Sequence, residues 1–290
     1  MGLVVVWCGL VSHVLYSVIT FAGDNFVMAW LFIEFATLSL FPVFFVFSVT
    51  LNVYSALFFF YVVFAVASVL VLFGIVFEGF WLLTFVGFSI KFGIFPFVYW
   101  VYHVALNSNW YVVWGISTFL KCPVFLFPFF FGLGDWLWFE VILFVMFVLL
   151  SVYFWLFSYN WFGCWTHMML ASTAVLVLLS LVSSVDIVFC LFGVYAFWAS
   201  LVIWFFSWCG KEYSSCLSLG GWFLYCILLV STPFSLSLFY KLVSVFCVCS
   251  FPVFVMVSWV VYSVSEQVYL VSWAINDNFP RGSSGFSNYV

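Results

Sequence analysis

Polar positions are so sparse along the 290 residues that they work as punctuation. Apolar runs such as "ALFFFYVVFAVASVLVLFGIVF" (56–77) are cut by short groups of turn formers: "AGDN", "EG", "NSN", "GLGD", "SYN", "SSVD" and "CGKEYSS". Cutting there leaves about ten segments, each near the roughly twenty residues a helix needs to cross a bilayer. They are placed at Leu3–Phe21, Val27–Val49, Val53–Phe77, Trp81–Leu106, Trp110–Phe131, Trp136–Phe157, Trp161–Val182, Ile187–Trp208, Leu217–Val243 and Val245–Val264. The runs lack the alternation of a β-barrel wall, in which every second residue faces lipid. The pattern therefore predicts an all-α polytopic membrane protein, with "INDNFPRGSSGFSNYV" as a short C-terminal tail.

Composition agrees. The chain is 69% hydrophobic and 5% charged, with a mean hydropathy of +1.37, whereas soluble domains carry about 25% charged residues. A net charge of −4, scattered, offers no basic patch for nucleic acid. "MGLVVVWCGLV" has no charged leader and no small-residue cleavage site, so it is read as the first span. The nine cysteines stand singly except for Cys247 and Cys249, and no CxxC pair occurs. They predict small apolar packing residues and no metal or redox cofactor in this chain. Phenylalanine at 45 residues is the composition of a T-rich coding genome, such as many mitochondria possess.

Against this background the charges inside the spans stand out: Glu34, Lys91, Lys121, Glu140 and Lys241. Each costs about 2.5–3.5 kcal/mol at a helix centre. Glu140 lies a few residues into its span and reads as a headgroup-level residue. Lys91, Lys121 and Lys241 lie too deep for that. Pro96 follows Lys91 by five residues and Pro233 precedes Lys241 by eight. Proline removes a ladder hydrogen bond and breaks a helix, and broken helices at membrane depth survive where they are buried in protein or line a wet cavity.

If ten helices divide into two sets of five, the fourth of each set carries a proline break and a lysine. That order predicts an internal inverted repeat, 1–132 and 133–265, with 266–290 as a short C-terminal segment and tail. The second helix of each set also carries a titratable group, Glu34 in one and His167 in the other; His13 and His103 carry less weight.

Five blocks also resemble a known family. "MAWLFIEFATLSLFPV" is similar to the W-x-G-L-E-x-N-x-x-x-F-x-P segment of NADH dehydrogenase subunit 2, an antiporter-like membrane subunit of respiratory complex I, with Glu34 on that family's buried glutamate. "KFGIFPFVYWVYHV" resembles K-x-G-x-x-P-F-H-F-W-x-P-E-V, aligning Lys91, Gly93, Pro96, Phe97 and Trp100. "LNSNWYVVWGISTFLKCPVFLF" resembles the next helix, which ends in W-Q-K-x-A-P, matching Lys121 and roughly Pro123. "STPFSLSLFYKL" resembles G-L-P-P-x-T-G-F-x-P-K-W, matching Pro233 and Lys241. "THMMLASTAVL" resembles a helix in which the family usually has lysine where this chain has His167. Val98 stands for a family histidine, Tyr102 and His103 for Pro-Glu, and the glycines around Pro233 are gone.

The resemblance implies a proton-translocating subunit in the mitochondrial inner membrane. Its site residues would be Glu34, Lys91, Lys121, Lys241 and His167. Its partners would be other membrane-arm subunits and phospholipids such as cardiolipin, with FMN and iron–sulfur clusters carried by other subunits of the hetero-oligomer. A lysine balanced between desolvation and a neighbouring carboxylate both takes up and releases a proton. Glu34 and Lys91 would form the switch, Lys121 the relay, and Lys241 the exit. Two alternatives stay open: a cation/proton antiporter subunit, and a non-pumping scaffold of the membrane arm.

Overall fold

The computed structural model describes residues 2–22, 25–46, 51–77, 80–131, 137–158, 160–209 and 219–276. The expected turns at "EG", "GLGD" and "CGKEYSS" fall wholly or mostly outside these residues, as does the tail from Asp277 onward. Among the described residues every regular element is helical. Seven apolar helical stretches among the described residues are long enough to cross a membrane: Phe26–Phe45, Leu51–Val76, Trp110–Phe129, Leu137–Phe157, Trp161–Val182, Val185–Cys209 and Val253–Ile275. The protein is an all-α polytopic membrane protein. It divides into two compact units, Met1–Gly134 and Asp135–Val290.

The first unit begins with α1 (Gly2–Ile19), α2 (Phe26–Ser39) and α3 (Leu51–Val76). It continues through α4 (Trp81–Phe92), α5 (Tyr99–Asn107), α6 (Trp110–Ser117) and α7 (Phe127–Phe131). α3 and α4 pack with backbones in close approach, the device small residues allow in membranes. A Cβ on Gly74 would lie 1.9 Å from Thr84 Oγ1, and one on Gly87 would lie 2.7 Å from Val71 Cγ2. Asn109 caps α6 by accepting from Val112 N (3.0 Å), while its amide donates to Val43 O at 2.7 Å. That second bond fastens α6 to the 3-10 turn Phe41–Phe45 at the end of α2. Buried His13 of α1 lies 2.8 Å from Ala36 O and 3.4 Å from Gly115 O, joining three helices.

Between α4 and α5 the chain leaves helical geometry over 93–98, with a cis peptide at Phe95–Pro96. Gly93 ends α4 in the left-handed region, φ 66°, which glycine enters without a Cβ clash. Ile94 N then closes back onto Ser89 O at 2.9 Å, as in a Schellman cap. Past the break, Trp100 Nε1 donates to Ile90 O at 2.8 Å, so the carbonyl that accepts the Gly93 N–H of the cap also takes an indole from α5. After α6 the helix tightens to 3-10 over Phe119–Leu126, where Pro123 lacks the N–H an α-helix would need.

The second unit contains α8 (Leu137–Phe157), α9 (Trp161–Val182), α10 (Val185–Cys209), α11 (Leu219–Leu228), α12 (Leu236–Val248) and α13 (Val253–Asn276). α9 is apolar on all faces and buried along almost its whole length, as a helix at the centre of a bundle must be. α8, α10 and α12 pack against it, and α13 pairs with α8. Between α11 and α12 the chain again leaves helical geometry, over 229–235, and Ser235 caps α12 by accepting from Leu238 N at 3.1 Å.

One boundary differs from the sequence-based expectation. The last span, expected over Val245–Val264, straddles the gap between α12 and α13; the final helix starts after Pro252 and continues to Asn276. Proline favours the first turn of a helix and cannot sit in its interior, so the chain turns there. Glu266 and Gln267, beyond the expected end of that span, lie inside α13, where both side chains are bonded within the unit.

Candidate functional site

In the first unit the structure brings Glu34 and Lys91 together. Lys91 occupies the last turn of α4, where the helix dipole favours a cation. Its Nζ donates to Glu34 Oε1 at 2.6 Å. Ser68 of α3 donates to the same oxygen at 2.6 Å. Three helices thus contribute one group each, and the close α3–α4 packing sets Ser68 beside Lys91. The lysine side chain is 3% exposed and the glutamate 21%, so the cation is the more deeply buried partner. Lys91 is not in mid-helix: it stands at a helix end made inside the span by the break at 93–98.

Lys121 is also buried, 4% exposed, on the 3-10 segment of the same unit. Its local backbone, tightened ahead of Pro123, sets it apart from a lysine on a regular helix. His103 pairs with Ser55 at 3.2 Å between α5 and α3.

In the second unit Lys241 of α12 forms an ion pair with Glu266 of α13, Nζ to Oε1 2.9 Å, without an aligned hydrogen bond. Here the carboxylate is the better buried partner, 5% exposed against 12% for the lysine. Gln267, the next residue, holds the break between α11 and α12. Its Oε1 accepts from Ser231 N at 2.7 Å, and its Nε2 donates to Leu229 O at 3.3 Å and to Glu266 Oε1 at 3.1 Å. Trp198 Nε1 satisfies Leu228 O at 2.8 Å. Backbone groups freed by the break are therefore met by side chains, as a hydrocarbon surround requires.

His167 of α9 is fully buried among aromatic rings, 4.9 Å from the Phe154 ring centroid, and its backbone carbonyl accepts from Tyr262. Glu140 lies in the first turn of α8, where a carboxylate suits the helix dipole. An apolar cavity of about 500 Å³ is lined by residues including Leu179, Ile187, Leu242 and Phe246, with neither ion-pair residue in its wall. No group of three or more His, Cys, Asp or Glu side chains among the described residues is placed to hold a metal ion.

Sequence reasoning missed Glu266 and Gln267. The available signal was the apolar stretch on both sides, "VFVMVSWVVYSVSEQVYLVSWAIN", which makes one helix if the start is taken at Pro252.

No family model and no curated protein matches the chain by sequence. The fold does match a chain in a solved structure of respiratory complex I from Thermus thermophilus with bound aureothin. The TM-score is 0.69 at 15% identity, covering 89% of this chain. This chain spans 66% of the length of that one. The likeness establishes the fold.

Proposed function

We propose that the chain is a proton-translocating, antiporter-like subunit of the membrane arm of respiratory complex I, corresponding to subunit 2 and residing in the mitochondrial inner membrane. The observation that carries the proposal is a buried lysine–carboxylate pair beside a broken helix, found once in each unit, on the fold of a complex I chain. The recurrence of a lysine–carboxylate pair and a helix break in both units supports an internal repeat. The partners are other membrane-arm subunits and phospholipids such as cardiolipin, and redox cofactors belong to other subunits.

The chemistry needs only a proton. Transfer from Lys91 Nζ to Glu34 Oε1 breaks one N–H bond, forms one O–H bond and leaves both groups neutral; the reverse step restores the charges. The 2.6 Å separation is a proton-transfer distance without rearrangement. Ser68 stabilises the ionised carboxylate through its hydroxyl. Lys121 and Lys241 serve as further proton carriers, and His167 as a further titratable group in the second unit. A non-pumping scaffold would gain nothing from these residues, since replacing a buried ion pair by well-packed apolar side chains is often neutral or stabilising.

The test is Lys121→Met in the assembled complex, with the proton-to-electron ratio measured in vesicles. A lowered ratio with electron transfer retained supports the relay. An unchanged ratio removes Lys121 from the pathway, and sodium-dependent transport by the isolated chain would favour the cation/proton antiporter reading.

A further inference from the structure

The second unit contains a connection that the lysines alone do not suggest. One side-chain amide, that of Gln267, touches both the Lys241–Glu266 ion pair and the backbone of the broken helix. Its orientation follows from chemistry. The Ser231 N–H needs an acceptor, whereas Leu229 O and Glu266 Oε1 need donors, and only one placement of the amide oxygen and nitrogen meets all three. Glu266 Oε1 in turn receives two groups, the Lys241 ammonium at 2.9 Å and the Gln267 amide at 3.1 Å.

We propose that Glu266 is the proton-exchanging partner of Lys241, and that Gln267 is a positioning residue coupling the charge state of this pair to the helix break at 229–235. When the Lys241 side chain turns into line with Glu266 and a proton passes from Nζ to Oε1, an N–H bond breaks and an O–H bond forms. The ammonium becomes an amine and the carboxylate an acid. The oxygen that accepted from Gln267 is then a hydroxyl oxygen with weaker accepting power, and the amide loses the charge-assisted contact that held it. That same amide holds Ser231 N–H and Leu229 O, so the change is felt at the break. Leu228 O stays fastened to Trp198, which confines the response to the two or three residues that follow. Buried polar networks of this kind act as a unit, because each member is costly to leave unmet.

The transport half of this inference rests on the proton-translocation reading; the coupling half does not. Both are read in the complex as purified, by amide hydrogen exchange over 226–238 and by proton-to-electron ratio. Gln267→Leu is expected to speed exchange at the Ser231 amide about tenfold, having removed its acceptor. Glu266→Gln is expected to speed it in the native background and to add nothing in the Gln267→Leu background, which is the signature of coupling through that amide. Glu266→Gln is also expected to lower the proton-to-electron ratio as Lys241→Met does. Should Glu266→Gln fail to assemble, the double variant Lys241→Gln/Glu266→Gln keeps the site neutral and is expected to show the same faster exchange. Unchanged exchange in Glu266→Gln, or equal effects of Glu266→Gln in both backgrounds, overturns the coupling whatever the pump does. A native ratio in Glu266→Gln beside a lowered ratio in Glu34→Gln overturns the transport role of Glu266 alone. Native ratios in both variants overturn the proton reading of the whole chain and the transport half with it.

Discussion

The two units place the same three things together by different means. In the first, the carboxylate comes from the second helix (Glu34 of α2) and the lysine stands just before the break. In the second, the carboxylate comes from the last helix (Glu266 of α13) and the lysine follows the break. α2 carries Glu34 and α9 carries His167; Lys121 stands on the 3-10 segment Phe119–Leu126, and Glu266 on α13. The supports differ as well: Gly93 in a left-handed turn with Trp100 on one side, Gln267 and Trp198 on the other. What recurs is the meeting of a lysine, a carboxylate and an interrupted helix, while the sequence positions that supply them change.

The contrast in burial makes the largest prediction. Breaking a buried pair by removing one partner costs about 3–5 kcal/mol, because the other charge is left uncompensated. In the first unit the lysine is the deeper partner, so Glu34→Gln should approach that cost. Lys91→Met, which leaves a carboxylate still bonded to Ser68, should cost about 1–3 kcal/mol. In the second unit the order should invert, with Lys241→Met the more damaging and Glu266→Gln the milder change. Thermal unfolding of the purified assembly reads all four variants. The same order in both units would show that burial does not govern the two pairs.

The third helices offer a smaller effect. Gly74 of α3 presses on α4, where an added Cβ would meet Thr84 Oγ1 at 1.9 Å, whereas Gly193 of α10 has nothing within 4 Å. Gly74→Ala should destabilise by about 1–3 kcal/mol through overpacking. It should also disturb the Lys91–Glu34 contact, since α3 and α4 carry Ser68 and Lys91. Gly193→Ala should be neutral or stabilise by up to about 1 kcal/mol through helix propensity. A destabilised Gly193→Ala would place another surface against that face of α10.

Much of the first unit was legible in the sequence. The apolar runs marked the long helices, Pro96 marked the break, Lys91 announced itself as a charge too deep to reach the headgroups, and Glu34 stood in the segment that resembles the family's glutamate helix. The second unit was harder to read for a physical reason. Lys241 and Pro233 lie in one segment and were visible together, but the acid that answers them is 25 residues further on, in "SVSEQVY". Polar residues there lower local hydropathy, the one-dimensional sign of a span's end. Their burial depends on bonds to a helix break that only folding brings near. The missing Schellman glycine was a further obstacle: nothing around Pro233 matches Gly93, because the second break is held by side chains from other helices.

That difference in how the breaks are held yields the last prediction. In the first unit the turn is encoded locally. Gly93 at φ 66° carries the reversal, and Gly93→Ala forces a side chain into the left-handed region at about 1–2 kcal/mol. The relief available is to extend α4 past Phe92, which would move the start of the break and strain the Trp100–Ile90 bond that spans it. In the second unit the break is held from outside by Gln267 and Trp198, so Pro233→Ala restores one N–H but leaves both clamps in place. Its effect should stay below about 1 kcal/mol, the scale of a proline's influence through the unfolded chain. Hydrogen exchange distinguishes the two designs. Gly93→Ala should change protection across 89–98, while Pro233→Ala should leave 229–235 as it was. If Pro233→Ala instead let the helix run through from α11 to α12, the proline would be the cause of the break and the clamps its consequence.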